Sequence, residues 1–248
     1  MSPPSPAPRS PSASEADRAP AWRERRLDLG AGSQARPGFV GIDRFFLPGI
    51  HAVADLDAPH LPFADDSFDL VYAFHSLEHV ADLMATMKEI WRVSRPGAQL
   101  CVTAPYFTMG LNVANPYHKQ AFNEHTPRFW TASPESRVDP AEWKQPPLGE
   151  IWGLARSDNS DPGFDFRCLR MEFFYFAEYW GLPPEEQRRA RRRHLDVCEQ
   201  ILYHLVAFKP PMTEDDLAAL KLDLYMPEAL AQRRAAAARG QRSIRQTD

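Results

Sequence analysis

Leu27-Asp28-Leu29-Gly30-Ala31-Gly32, followed by Val40-Gly41-Ile42-Asp43, decides how this chain is read. A short apolar strand reaches an acid, Asp28, and turns through Gly30 and Gly32. A second strand ends in another acid, Asp43. Glycine lets a backbone pass close to a ligand with no side chain in the way, and an acid at the tip of the next strand accepts the hydroxyls of a ribose. Together they point to a nucleoside-bearing cofactor. The run Gly30 to Ala35 also fits G-x-G-x-x-G/A, a dinucleotide pattern that is weak by itself. Its spacing is wrong for a dinucleotide fold, in which the ribose acid follows about 20 residues on, after a full helix. Here Asp43 follows Gly32 by eleven positions, with Pro37-Gly38 between them. No long helix fits that gap to hold a pyrophosphate at its N-terminus.

Outward from this stretch, the chain alternates strand and helix patterns. Residues 25–29, 39–43 and, more weakly, 51–55 read as strands. Residues 68–74 and 99–104 are short apolar runs bounded by turns, as buried parallel strands should be. Between them Val80, Leu83, Met84, Met87, Ile90 and Trp91 recur at helical spacing, with Pro96-Gly97 as the terminator. Strand, turn, helix, strand predicts a parallel α/β sheet. Residues 164–176 and 200–208 are rich in β-formers and are expected to pair antiparallel at one end of that sheet, joined by an Arg-rich helix near 184–197. A short helix over 213–223 opens on Thr213 as N-cap, with Glu214, Asp215 and Asp216 in its first turn.

The remaining segments are irregular. Residues 1–22 are Pro-, Ser- and Ala-rich and read as a disordered tail. Residues 105–163 have little periodicity but many aromatics (Tyr106, Phe107, Tyr117, Phe122, Phe129, Trp130, Trp143, Trp152), which suits a lid over a site. The folded domain is expected over 23–227, and 228–248 reads as a basic tail, either a frayed helix or disordered.

Of the 248 residues, 44% are hydrophobic and 25% charged, ordinary for a globular protein. With a net charge of −4, nothing favours nucleic acid or an acidic membrane as partner. No apolar run approaches the roughly 18 residues of a membrane span, and the N-terminus lacks the apolar core of a signal peptide. Cys101, Cys168 and Cys198 are widely spaced and form no CxxC pair, so neither a disulfide framework nor a zinc knuckle is signalled. A reducing cytoplasm is the expected compartment.

The ordered set of motifs resembles the class I S-adenosylmethionine-dependent methyltransferases, in a branch with a shortened first helix. The matching residues are Asp28 to Gly32, Gly41-Ile42-Asp43, Asp55, Leu61-Pro62-Phe63 with Asp65 to Asp69, Leu77-Glu78-His79-Val80, and Glu89 to Gly97, all within about residues 25–108. Two positions depart from the pattern: Gln34 stands at the expected third glycine, and Ala98 at the glycine after Pro96-Gly97. The resemblance implies a Rossmann-like seven-stranded sheet, mostly parallel with an antiparallel C-terminal hairpin, plus a lid insertion. It implies S-adenosylmethionine as cofactor. Gly30 and Gly32 would pack against its methionine part and Asp28 would reach its amino group. Asp43, with Arg44 beside it, would bind the ribose, and Asp55 with Leu56 the adenine. Phe74 and His75 would border the methyl group.

The expected function is methyl transfer to an oxygen or nitrogen of a small molecule, such as a secondary metabolite or sugar precursor. Histidine titrates near neutrality, so His75 and His118 are the candidate bases. His75-Ser76-Leu77-Glu78-His79 also offers a zinc-type donor set. Some related methyltransferases hold a divalent ion with Glu-x-x-Glu-His. Leu-Glu-His is also common in relatives without metal, where it opens the following helix, and no metal is assigned here. The Arg cluster at 188–193 reads as a solvated helix face. Two other functions stay open: a non-catalytic S-adenosylmethionine-binding subunit, motivated by Gln34, and a nicotinamide-dependent oxidoreductase, motivated by the glycine pattern.

Overall fold

Seven strands form one sheet in the order β3-β2-β1-β4-β5-β7-β6. They are β1 (Arg26–Leu29), β2 (Val40–Asp43), β3 (Ala52–Val53), β4 (Phe68–Phe74), β5 (Ser94–Pro105), β6 (Phe166–Tyr175) and β7 (Cys198–Ala207). The computed structural model describes residues 25–33, 35–131, 141–142, 162–221 and 223–245. Strands β1 to β5 are mutually parallel. Strand β7 runs antiparallel to both β5 and β6, so it alone is reversed. This is the mostly parallel α/β sheet with an antiparallel C-terminal hairpin expected from the sequence.

The period-2 alternation of the strands divides the core into two layers. Leu27, Leu29, Val71, Ala73, Leu100, Val102 and Ala104 face one cluster, which Met87, Ile90 and Val93 of helix α1 (Leu83–Val93) close. Tyr72, Cys101 and Leu202 face the other, with Phe39, Phe174 and Leu230. Leu230 belongs to α5 (Glu228–Arg245), following α2 (Gly110–Ala114), α3 (Pro184–Arg191) and α4 (Glu214–Ala219). Of the two readings of the C-terminal segment, the helix is therefore the one found, and Leu230 anchors it at 1% exposure.

Three details differ from the sequence reading. Leu77–His79 is a separate 3-10 turn, and α1 begins only at Leu83, with the Asp82 side chain accepting from the Ala85 N–H at 2.9 Å. Glu78 therefore does not open α1, and a helix dipole does not account for it. Second, α1 stops at Val93, where the Ser94 hydroxyl donates back to the Ile90 carbonyl at 2.7 Å. Pro96-Gly97 lies beyond, in an irregularity of β5 where pairing jumps from Phe68↔Ser94 to Leu70↔Gln99. Third, the Arg-rich helix ends at Arg191, short of 197. Arg191 is not solvated: it is wholly buried, its guanidinium 3.5 Å from the Phe173 ring centre, and it pairs with Glu142 and, at 3.7 Å, Glu124. Thr213 caps α4 as expected, in a reciprocal capping box with Asp216.

Candidate functional site

Parallel strands that all point one way place their C-terminal ends along one edge, where α/β folds bind ligands. Along that edge lies a cleft of about 540 Å³, lined by Gly30, Asp43, Arg44, Asp55, Leu56 and His75 together with Phe45, Leu47, Ala54, Asp57, Ser76, His79, Val80, Asn115, Pro116, Tyr117 and Lys119. Its size falls within the roughly 300–1,000 Å³ of small-molecule sites.

The tip of β1 enters the cleft through Gly30 at φ +65°, where an added Cβ would stand 2.6 Å from the Ser76 Cβ. That contact requires glycine for packing against the chain itself. Gly32, at φ +60°, has nothing within 4 Å of its Cβ position. Its N–H donates to Asp43 Oδ2 at 3.0 Å, and the Phe45 N–H donates to Asp43 Oδ1 at 3.0 Å. The eleven-residue step noted in the sequence is thus a direct bond between the glycine turn and the acid of β2. Each Asp43 oxygen keeps a second lone pair. Among the described residues no helix separates β1 from β2.

Asp55 Oδ1 accepts from the Asp57 N–H at 3.0 Å in a local turn. Asp57, which sequence reasoning passed over, accepts from the Ala81 N–H at 2.6 Å and pairs with Lys119 at 3.6 Å. The chain after β5 is tied down here: the Lys119 and Gln120 N–H groups both donate to the Glu78 carbonyl, at 2.7 and 3.1 Å. Asn115, Pro116, Tyr117 and Lys119 of the expected lid therefore wall the cleft. Trp143, Trp152 and Gln34 lie outside the described residues, as does the expected tail at 1–22.

His75 sits just past β4 in the left-handed region, at φ +50°. Its Nδ1 hydrogen-bonds with Glu78 Oε1 at 3.2 Å and its Nε2 with the Gln200 side-chain amide at 2.9 Å. Burial disfavours its charge, but the hydrogen bond and charge of Glu78, with Gln200 and Glu199, outweigh burial and raise its pKa above the ordinary histidine value. Gln200 had no signal in the sequence; it arrives because β7 pairs with β5, placing Gln200 opposite Pro105.

Asp28, Gly32, Phe74 and His118 do not line the cleft, and Gly32 reaches it only through its bond to Asp43. Asp28 is 3% exposed and accepts from the Arg36 N–H at 3.4 Å. Burial raises its pKa against the opposing charge of Arg36. Phe74 packs into the second core layer beneath Arg36, whose guanidinium lies 5.6 Å from the ring centre. His118 stands against His79, ring centres 4.7 Å apart, and its Nδ1 donates to Asn112 Oδ1 at 2.6 Å. Burial lowers its pKa; Glu78 opposes this, and His79 and His75 reinforce it.

Residues 42–102 match the family described as a methyltransferase domain. Over 183 residues the chain is 31% identical to a demethylmenaquinone methyltransferase of Corynebacterium glutamicum, covering 65% of this chain and 77% of that one. The chain belongs to the class I S-adenosylmethionine-dependent methyltransferases. The methyltransferase GfsG of Streptomyces halstedii is 50% identical over 46 residues, 18% of this chain and 16% of that one. The chain spans between 16% and 38% of the length of four such curated relatives. A solved S-adenosylmethionine-dependent methyltransferase from Archaeoglobus fulgidus superposes with a TM-score of 0.44 at 16% identity, covering 74% of this chain and 86% of that one.

The methyltransferase cofactor is S-adenosylmethionine, and the cleft suits it chemically. Asp43 and Asp55 supply acceptors for hydroxyl and amino hydrogens, Leu47, Ala54, Leu56 and Val80 supply apolar wall, and Gly30 brings backbone into the wall without a side chain. The Ser76 hydroxyl, buried in the same wall, has no hydrogen-bond partner among the described residues. No helix among them is long and apolar enough to cross a membrane.

Proposed function

We propose that this cleft binds S-adenosylmethionine and that the chain transfers its methyl group to a small-molecule acceptor. The observation that carries the reading is the convergence of Gly30, Asp43, Arg44, Asp55, Leu56 and His75, from four separate strand ends, on one cleft. Bound S-adenosylmethionine supplies a methyl group already activated on a sulfonium. The chain's contribution is placement, and well-oriented groups are worth on the order of 7–11 kcal/mol in favourable cases. Asp43 accepts the ribose hydroxyls through its two free lone pairs. Asp55 accepts from the adenine amino group, with Leu56 against the ring. Gly30 and Gly32 carry backbone along the methionine part, with Asp28 behind them.

His75 borders the transfer position, but both its nitrogens are engaged, by Glu78 and Gln200, which suits orientation rather than proton removal. An oxygen or nitrogen nucleophile of a small acceptor remains the first reading of the substrate. A second has its own support: Phe45 and Tyr117 in the cleft wall, and Phe46, Leu111 and Val113 close to it in sequence, are exposed apolar side chains. They fit a hydrocarbon-bearing aromatic acceptor, in line with the demethylmenaquinone methyltransferase relative.

A labelled-methyl assay with the full chain tests the reading against two acceptor panels, polar hydroxyl or amine metabolites and prenylated quinols. Label transfer to a member of either panel is the expected result. Cofactor binding with no transfer to any acceptor points instead to a non-catalytic binding subunit.

A further inference from the structure

Beside the cleft, behind His79, one donor atom from each of Glu78, His79 and His118 lies within 4.8 Å of the other two. Their hydrogen bonds show which atoms are left over. His79 Nδ1 donates to the Tyr117 carbonyl at 3.1 Å, and His118 Nδ1 donates to Asn112 Oδ1 at 2.6 Å. Each bond fixes the proton on Nδ1 and leaves the Nε2 lone pair free, the arrangement in which metal-ligating histidines are held. Glu78 is 1% exposed, its Oε1 is bonded to His75, and its Oε2 has no hydrogen-bond partner among the described residues. A buried carboxylate oxygen without a donor is costly, and a cation resolves it.

We propose that Glu78, His79 and His118 form a binding site for a first-row divalent ion of the Zn²⁺ class, ligated by Nε2 of each histidine and by the Glu78 carboxylate. Two imidazoles and one carboxylate suit such ions rather than Mg²⁺ or Ca²⁺, which take oxygen ligands. The set differs from the one the sequence suggests. His75 is not a ligand, because both its nitrogens are occupied; it holds Glu78 by Oε1 and so orients it. His118 takes its place, delivered by the segment that Glu78 tethers through Lys119 and Gln120. Three protein ligands leave a tetrahedral ion one position for an exogenous oxygen. His79 lines the cleft, so that position serves an acceptor oxygen there, a role that rests on the methyltransferase reading above; the site itself does not.

The test uses the full chain, stripped with chelator and titrated with Co²⁺, and separately with Zn²⁺ and Mg²⁺. One equivalent of Co²⁺ is expected to bind with visible ligand-field absorption, to be displaced by Zn²⁺ and not by Mg²⁺. Glu78→Gln and His118→Gln should abolish the absorption. Asn112→Ala, which keeps every ligand, should weaken binding about 10- to 100-fold. Absence of saturable one-equivalent binding in the unsubstituted chain overturns the site, as does an unchanged spectrum in His118→Gln. Titrating S-adenosylhomocysteine in parallel separates the two readings. Its binding without Co²⁺ binding refutes the ion site alone, and the reverse refutes the cofactor reading alone.

Discussion

Single residues around the β1 turn fix the backbone that borders the cleft. Gly30 is fixed by its left-handed backbone and by the 2.6 Å approach that a Cβ would make to Ser76. Gly30→Ala is expected to cost about 1–2 kcal/mol for the backbone and about 1–3 kcal/mol for the overlap. Urea unfolding should show this as a lower midpoint with little change in slope; an unchanged midpoint would show that the turn relaxes freely. The sequence made the glycines legible but not their reasons, since the partner of Gly30 is Ser76, on another strand end. The place of Asp43 in the cleft was legible from its position at a strand end after the glycine turn, and its bonds to the Gly32 and Phe45 N–H groups explain the spacing physically. Gln200 and Asp57 were not legible: one depends on strand order, the other on a turn whose partner, Ala81, lies far along the chain.

At the level of elements, buried parallel strands were readable because they are short apolar runs between turns. The order in which β7 inserts between β5 and β6 is not encoded in any local pattern. Helix ends were read less well. Pro96-Gly97 looked like the stop of α1, yet the Ser94 hydroxyl had already closed it. The Arg-rich segment read as a solvated face because charge runs usually are, whereas Arg191 faces inward onto Phe173 with Glu124 and Glu142 as counter-charges. Burial pushes the Glu124 carboxyl up, but the Arg191 charge and the Tyr106 hydrogen bond outweigh it and hold it below the ordinary value. Helix α5 has weak amphipathicity; it docks through Leu230, which is 1% exposed in the second layer with Tyr72 and Leu202, and through Arg233 and Arg234, which pair with Glu199 and Glu172. Leu230→Ala should therefore destabilise by about 2–5 kcal/mol, measured by thermal or urea unfolding. A loss within about 0.5 kcal/mol, as for a surface substitution, would show that α5 does not cover the sheet.

For the molecule as a whole, one architectural fact organises the rest. A sheet whose strands β1 to β5 share one direction gathers their ends into a single edge, and there the chain collects acids, Gly30 and imidazoles into one cleft. The neighbouring Glu78, His79 and His118 cluster sits on the same edge because residues 115–119 fold back onto the turn after β4. On this reading the edge holds a methyl donor and not a dinucleotide. Isothermal titration of S-adenosylhomocysteine and of NADH into the full chain and into its Asp43→Ala variant separates the two. Hydrogen bonds to charged groups are worth about 1.5–3 kcal/mol, so the expected result is one-to-one S-adenosylhomocysteine binding, weakened roughly 10- to 100-fold by Asp43→Ala, and no NADH binding. Saturable NADH binding, or S-adenosylhomocysteine affinity indifferent to Asp43→Ala, would overturn the methyl-donor reading of the cleft.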